Sequence, residues 1–436
     1  MAYAQYTLSQ LVTEISTYLG DPGNVYWSMD EIHFAINEGL RQWGLATAYW
    51  RDRGLFNISS TAAWYSLSEQ IPSLRPKTVT VDHIVREIQY HLSEASNGVS
   101  GVGMTAQFTI SEIIAAVNRA RNQVAIDARM PISLDSKLPV QSPPYGRQTL
   151  ADDIIFLHRA SWTDSNNKTT ALNRSDLYAQ DSYNWQWNTK PGNPISYSVS
   201  DNPPLTIQLY APPVASGLLN ILSVKSLDLS APDNTTTLGL ADEITPAVKY
   251  LALADLVTTD GVTANPLLAQ YCNQRYQQII SLARQQRSVI HAMLNGVNIP
   301  ITPLSTIDYI LPHWETQRRT PQFCGVLYDF IAFCPVSNTT RAASLDVVQS
   351  APVPNDDLDY IQLGVEEINA ISDYCQHYLS IKLGGEEFTS TFQSFDKFQR
   401  LAMQRSGILQ IDTRYLSALF DQSGKEQAWQ PFAETV

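Results

Sequence analysis

Adjacent carboxylates occur at Asp242-Glu243 and again at Glu366-Glu367. Paired acids are what general acid–base hydrolysis requires. Each pair stands just before or at a helical pattern, where acids complement the helix dipole, so capping is the preferred role. Asp356, Asp357 and Asp359 supply hard oxygen ligands of the calcium type. They lack the loop spacing, the glycine and the terminal glutamate of an EF-hand. Gly98, Gly101 and Gly103 crowd one link, but no Gly-Lys-Ser/Thr follows, so a flexible connection is expected rather than a phosphate loop. Ser100 sits in Gly98-Val99-Ser100-Gly101, which is not a nucleophile elbow, and the histidines show no HExxH. Cys272, Cys324, Cys334 and Cys375 form no CxxC and have no histidine at zinc spacing, so free buried thiols are expected. No catalytic constellation, metal site or cofactor is expected, and a hydrolase is disfavoured for want of a dyad.

Two other groups could bind rather than react. Tyr183, Trp185 and Trp187 alternate, as residues on one strand face do. They could form a flat sugar-binding or subunit-facing stripe, or pack on their own core. Gln317-Arg318-Arg319 is a short basic cluster, insufficient for nucleic acid but suited to an acidic neighbouring subunit.

Composition narrows the class. The 436 residues allow two or three domains. Charged residues make up only 16%, so the surface must lean on Ser, Thr, Asn and Gln or be covered by partners. A net charge of −13 argues against a grip on nucleic acid yet lets DNA pass without sticking. The start, MAYAQYTLSQ, has neither a basic n-region nor an apolar h-region. No apolar stretch approaches the roughly 18 residues of a membrane span. A cytosolic origin and no membrane contact are therefore expected.

The elements behind these residues repeat. TLSQLVTEISTYLG from Thr7 aligns with TVDHIVREIQYHLS from Thr80 at an offset of 73. SMDEIHFAINEGLRQW from Ser28 aligns with TISEIIAAVNRARNQV from Thr109 at an offset of 81. Thr7-x-x-Gln10, Ser28-x-x-Glu31 and Thr109-x-x-Glu112 each spell a capping box, which satisfies the orphan amides of a helix start. Ile32, Ile36, Leu40, Trp43 and Trp50 fall on one helical face, and Trp27 and Trp64 read with them as core or interface. From Ile132 to about residue 230 the apolar period drops to two, which predicts an antiparallel β region. Ile154 to Leu157 reads as a strand buried on both faces. Helices are predicted over 246–259 and 264–288, with Pro246 at a first helical position after Thr245. Val326 to Phe333 and Leu345 to Val348 read as strands, followed by helices near 364–383 and 386–406. A fainter repeat at an offset of 124 matches Val224/Val348, Glu243/Glu367, Ile244/Ile368 and Tyr250/Tyr374.

A duplicated helix pair is a packing module and carries no chemistry of its own. The order of repeats predicts nesting: 1–75 completes its fold with 305–436, and 80–300 is an inserted second copy. Ile408, Ile411, Tyr415, Leu419 and Phe420 are spaced for one more amphipathic helix. Beyond it Trp429 and Phe432 sit in an extended end that has no need of large aromatics if it is free.

The opening LVTEISTYLGDPGNVYWSMDEIHFAINEGLRQWGLATAYWRDR resembles the head–tail adaptor, or connector, proteins of tailed bacteriophages. So do DDIIFLHRASW, PISYSVSDNPPLTIQLYAPP, VKYLALADLV with YCNQRYQQI, and SAPVPNDDLDYIQLGVEEINAISDYCQHYLSIKLGGEEF. These are packing patterns, specific in their order. The resemblance implies an α+β fold, a helical bundle carrying an antiparallel β domain. It also implies a homo-oligomeric ring, typically of twelve copies, bound to the portal above and to a tail or nozzle protein below. Such a ring sits at the virion neck and lets double-stranded DNA through its lumen. It makes Tyr415, Phe420, Trp429 and Phe432 the expected portal contacts, and Tyr183, Trp185, Trp187, Arg318 and Arg319 the expected subunit contacts. The rival expectation is a carbohydrate-binding or tail-fibre-associated module built on the Tyr183/Trp185/Trp187 stripe.

Overall fold

The computed structural model describes residues 6–72, 74–93, 99, 108–140, 147–183, 186, 189–200, 205–229, 231–258, 265–285, 288–354 and 356–419. The chain opens with α1 (Leu8–Tyr18) and α2 (Met29–Thr47), then β1 (Arg51–Ile58), β2 (Trp64–Ser66) and the single turn α3 (Leu67–Gln70). A second helix pair follows, α4 (Val81–His91) and α5 (Ile110–Ala128). The β region comprises β3 (Ile132–Val140), β4 (Arg147–Thr149), β5 (Ile154–Thr163), β6 (Thr169–Arg174), the short α6 (Leu177–Tyr183), β7 (Ser196–Val199), β8 (Thr206–Tyr210) and β9 (Gly217–Lys225). Next come α7 (Thr245–Thr258), α8 (Pro266–Gln285), β10 (Val289–Leu294), β11 (Val297–Asn298) and α9 (Leu304–Ile310). The last part holds β12 (Arg318–Arg319), β13 (Phe323–Leu327), β14 (Phe330–Cys334), β15 (Val336–Ser337) and β16 (Arg341–Val348). Helices α10 (Val365–Ser380), α11 (Gly385–Ser390) and α12 (Phe392–Leu419) close it. The fold is α+β.

The helix starts follow their local chemistry. Thr7, Ser28 and Thr109 each accept from the backbone three residues on, and Gln10, Glu31 and Glu112 reach back to the cap amide. Thr80 caps α4 in the same way through its hydroxyl. Both long helices of the pairs end in the left-handed region, α2 at Ala48 and α5 at Arg129.

Two helical cores result. Leu11, Ile15, Ile32, Ile36, Leu40 and Trp43 of the first pair pack with Ile371, Tyr374, Phe395 and Phe398 of α10 and α12. Ile84, Ile88, Ile113, Val117 and Val124 of the second pair pack with Val248, Leu253, Ile279 and Ile280 of α7 and α8. Trp50 is buried as expected but lies past the end of α2.

Each bundle adjoins a sheet. Beside the second pair is a seven-stranded sheet, ordered β3-β9-β5-β6-β7-β8-β4 and antiparallel except at β6–β7. Beside the first, β1-β16-β10-β11 form a four-stranded sheet, and β13-β14-β2 a three-stranded one. Strand β1 pairs β16 with Arg51 opposite Val348, and β3 pairs β9 with Ile132 opposite Val224.

Three local expectations change. Ile154 and Leu157 are fully buried in the sheet core, but Ile155 and Phe156 are only partly buried, packed against the second helical core, where the strand carries register shifts at Ile154/Phe156 and Leu157/Arg159. Val326 to Phe333 is a hairpin, not one strand, since Tyr328 adopts a left-handed conformation and Asp329 turns inward to an arginine. Helix α7 begins at Thr245 itself, whose hydroxyl donates to the Asp242 carbonyl. All four cysteines are buried and free. Among the described residues no helix is long and apolar enough to cross a membrane.

Candidate functional site

The polar groups of this fold gather where the two helical cores meet. Glu38 of α2 and Lys249 of α7 are both fully buried and form an ion pair. Glu38 Oε1 also accepts from Tyr250 Oη at 2.8 Å and from Tyr374 Oη at 2.5 Å. Lys249 Nζ donates to Tyr378 Oη at 3.2 Å and lies 3.5 Å from Glu87 of α4. Burial opposes ionisation of Glu87, but Lys249 and His83 outweigh it and bring its pKa down to about 2. Arg275 of α8 donates to Tyr374 Oη at 3.2 Å and lies over the Phe395 ring. Tyr271 Oη is 2.8 Å from His377 Nε2, and Thr391 Oγ1 is 2.9 Å from His377 Nδ1. Burial, with Arg275 nearby, lowers His377 to about 3, so the ring is neutral. Residues from both bundles thus satisfy each other's hydrogen bonds, which fixes the bundles in one register.

The paired carboxylates belong to a second joint. Asp242 accepts from the backbone amides of Thr78 and Val79 and from the Thr78 hydroxyl, tying the approach to α7 to the segment that leads into α4. Glu243 meets Arg75 at 3.4 Å and accepts from Ser350 Oγ at 2.7 Å. Arg75 also reaches Asp329 at 3.0 Å. The dipole role expected of Asp242-Glu243 is therefore replaced by cross-links between distant segments. Glu366 and Glu367 do stand in the first turn of α10, and both meet Arg405 at 2.8 Å.

A third joint holds the large sheet to the rest. Arg159 of β5 pairs with Asp308 of α9 and with Glu315 at 3.0 Å, and its guanidinium lies 5.7 Å from the centroids of both the Trp64 and Trp314 rings. The aspartate-rich turn is likewise structural. The carbonyls of Asp357 and Asp359 accept from Ser9 and Leu8, the first amides of α1. Among the described residues no group of three metal-type ligands comes together.

Of the sequence-derived contact residues, Arg318 and Arg319 and the backbone of Tyr183 and Tyr415 fall within the described residues. Tyr183 ends the helix α6 rather than lying on a strand, and Trp185 and Trp187 lie outside the described residues. Arg318 and Arg319 form the exposed strand β12, parallel to β15. Tyr415 falls within the backbone span of α12, while its side chain, with Phe420, Trp429 and Phe432, lies outside what is described. The glycine-rich link at Gly98, Gly101 and Gly103 also lies outside it. Sequence inspection missed Glu38, Glu87, Lys249 and Arg275. The available signal was a charged residue among apolar helix neighbours, most visibly Lys249 between Val248 and Tyr250.

Residues 79–298 match the family model of the SU10 adaptor protein, just over half of the chain. The chain belongs to the SU10 adaptor protein family. The adaptor match begins just before α4 and ends at β11, so it takes in one helix pair, the seven-stranded sheet and the α7–α8 pair. This is a family of phage structural adaptors, and a member is a virion component. No curated protein matches this adaptor chain.

Proposed function

We propose that this chain is the head–tail adaptor of a tailed bacteriophage, acting by binding and positioning without turnover. In this proposal copies of the chain form a ring, typically of twelve, at the virion neck. The ring joins the portal protein to a downstream tail or nozzle protein, and double-stranded DNA passes through its lumen without specific binding. The family match carries the proposal, since it takes in a helix pair, the seven-stranded sheet and the α7–α8 pair of the chain. The net charge of −13 favours passage over retention of DNA. Arg318 and Arg319, exposed on β12, are proposed subunit contacts together with Tyr183, Trp185 and Trp187. Tyr415, Phe420, Trp429 and Phe432 are proposed to engage the portal.

We also infer that the chain is a nested duplication, with 80–300 inserted into a copy made of 1–75 and 305–436. Support comes from register. Shifting Arg51 by 81 and Val348 by −124 turns the β1–β16 pair into the β3–β9 pair of Ile132 and Val224. The same shift of 81 carries the left-handed Ala48 onto Arg129.

Native mass spectrometry tests the function. The purified chain is weighed alone and after mixing with the portal protein of the same virus. A complex with one adaptor per portal chain is expected. A chain that stays monomeric in both samples defeats the proposal and redirects attention to the aromatic stripe as a glycan site.

A further inference from the structure

Between the two helix pairs lies a cavity of about 700 Å³, within the size range of small-ligand sites. One face of α2 borders it with His33, Asn37 and Arg41, spaced four residues apart and so stacked on a single stripe. His33 Nε2, Asn37 Oδ1 and Arg41 Nε are each buried without a hydrogen-bond partner among the described residues. Arg41 is the notable member. It is only 8% exposed, and a guanidinium has five donors and no way to shed its charge. Its Nε is buried without a partner and no carboxylate is paired with it among the described residues, so the stripe lacks something that would complete it.

The partners already taken point to what is lacking. In the seam beside the cavity three buried cations, Arg41, Lys249 and Arg275, face two buried carboxylates, Glu38 and Glu87. Both carboxylates are engaged by Lys249, and Arg41 acts on Glu87 only as a lesser influence after Lys249 and His83. The other acids at the cavity wall are committed elsewhere. Asp242 is filled by Thr78 and Val79, and Glu243 by Arg75 and Ser350. Asp30 is exposed, at the start of α2 and next to the field of Arg86.

We propose that this cavity binds a small carboxylate or phosphate anion, with the Arg41 guanidinium as its main donor and Asn37 and His33 beside it. A turned Asn37 amide presents Nδ2 to the same space, and the Nε2–H tautomer of His33 adds a further donor. The bound anion supplies Arg41 with the partner it lacks, and it touches residues of both bundles. It therefore ties the bundles together in addition to the Glu38–Lys249 pair.

The test is isothermal titration calorimetry of the full chain in chloride buffer, with citrate and with inorganic phosphate as probes. Saturable binding of at least one probe is expected, weakened at least tenfold by Arg41→Met. Whether citrate or phosphate binds tells which acid class the site takes, and either supports the proposal. In probe-free chloride buffer Arg41→Met is expected to melt no lower than the wild type. On adding the binding probe only the wild type gains in Tm. Should Arg41→Met fail to fold, Asn37→Asp carries the test, because a carboxylate in the stripe repels the anion and binding is lost. No saturable binding of either probe to the folded wild type overturns the proposal. So does equal affinity in Arg41→Met, or undiminished affinity in Asn37→Asp.

Discussion

Glu38 and Lys249 form an ion pair with neither side chain reaching solvent, and they come from different helical cores. Glu38 is carried by α2 of the first pair, Lys249 by α7 beside the second. Such a pair is not a large net source of stability, because desolvation offsets most of its attraction. Its effect lies in the asymmetry of breaking it. Glu38→Gln keeps an acceptor for Tyr250 and Tyr374 but removes the charge that faces Lys249. It is expected to cost about 3–5 kcal/mol of unfolding free energy. Lys249→Met leaves Glu38 and Glu87 without their cation and should cost a similar amount. The double variant should cost clearly less than the sum, since the two share one interaction. Urea unfolding of the three variants measures this. Additive losses would show that the residues act separately.

Acid should loosen the same seam. His377 and His91 are buried, and burial lowers each to about 3, with Arg275 adding to it at His377 and Lys249 at His91. Unfolded, a histidine titrates near 6.5, so at mildly acidic pH the unfolded chain binds protons that the folded chain refuses. A depressed folded pKa means that stability is held above about 6.5 and lost as pH falls towards 3. Each ring steepens the decline by up to about 1.4 kcal/mol per pH unit within that window. His377→Gln, which can still bond Tyr271 and Thr391, should flatten the decline by roughly that amount between about pH 6 and pH 4. Urea midpoints across that range check it. An unchanged slope would mean that His377 is protonated in the folded chain.

How much of this was legible beforehand depends on whether the cause was local. The capping boxes at Thr7, Ser28 and Thr109 rest on residues three apart, so the sequence displays both partners and the helix starts came out correctly. Apolar period located α7, α8 and α10 for the same reason. The hairpin turn at Tyr328 was hidden, because a single Asp329 in an otherwise apolar run was too weak a turn signal. What bends it is the long-range pull of Arg75 on Asp329. The seam was hidden more deeply. Glu38 bonds Tyr250 and Tyr374 across separations of 212 and 336 residues, and no window of sequence holds such partners together. Asp242-Glu243 shows the same limit: acids before a helix start suggest a cap, yet their partners lie at Thr78, Arg75 and Ser350.

The large sheet has a position that admits no side chain. Gly217 opens β9, and a Cβ there would stand 2.3 Å from Trp162 Cζ2 and 2.6 Å from the Thr163 carbonyl oxygen. Trp162 is itself buried in the sheet core, so it cannot swing clear, and the carbonyl is backbone. Gly217→Ala should therefore destabilise by about 1–3 kcal/mol through overpacking. Gly296→Ala is the contrast, since open space surrounds that position and only its positive φ is strained. Thermal unfolding of the two variants separates steric clash from backbone strain. A Gly217→Ala protein as stable as the wild type would mean that the β5–β9 edge yields more readily than its packing implies.

The C-terminal end offers the sharpest separation of folding from assembly. Helix α12 gives the first core Phe395, Phe398 and Ala402, and Arg405 meets Glu366 and Glu367. These contacts all precede residue 407, so the bundle does not draw on the last sixteen residues for them. Yet that stretch carries Trp429 and Phe432, large apolar side chains whose exposure in a solitary subunit would be unfavourable. If they anchor the adaptor to its portal, deleting 421–436 should leave Tm within a degree or two of wild type while abolishing portal binding in native mass spectrometry. Trp429→Ala with Phe432→Ala should reproduce the loss without shortening the chain. Unimpaired portal binding after the deletion would remove the anchor role from these residues. A lower Tm would instead assign the aromatics to their own subunit.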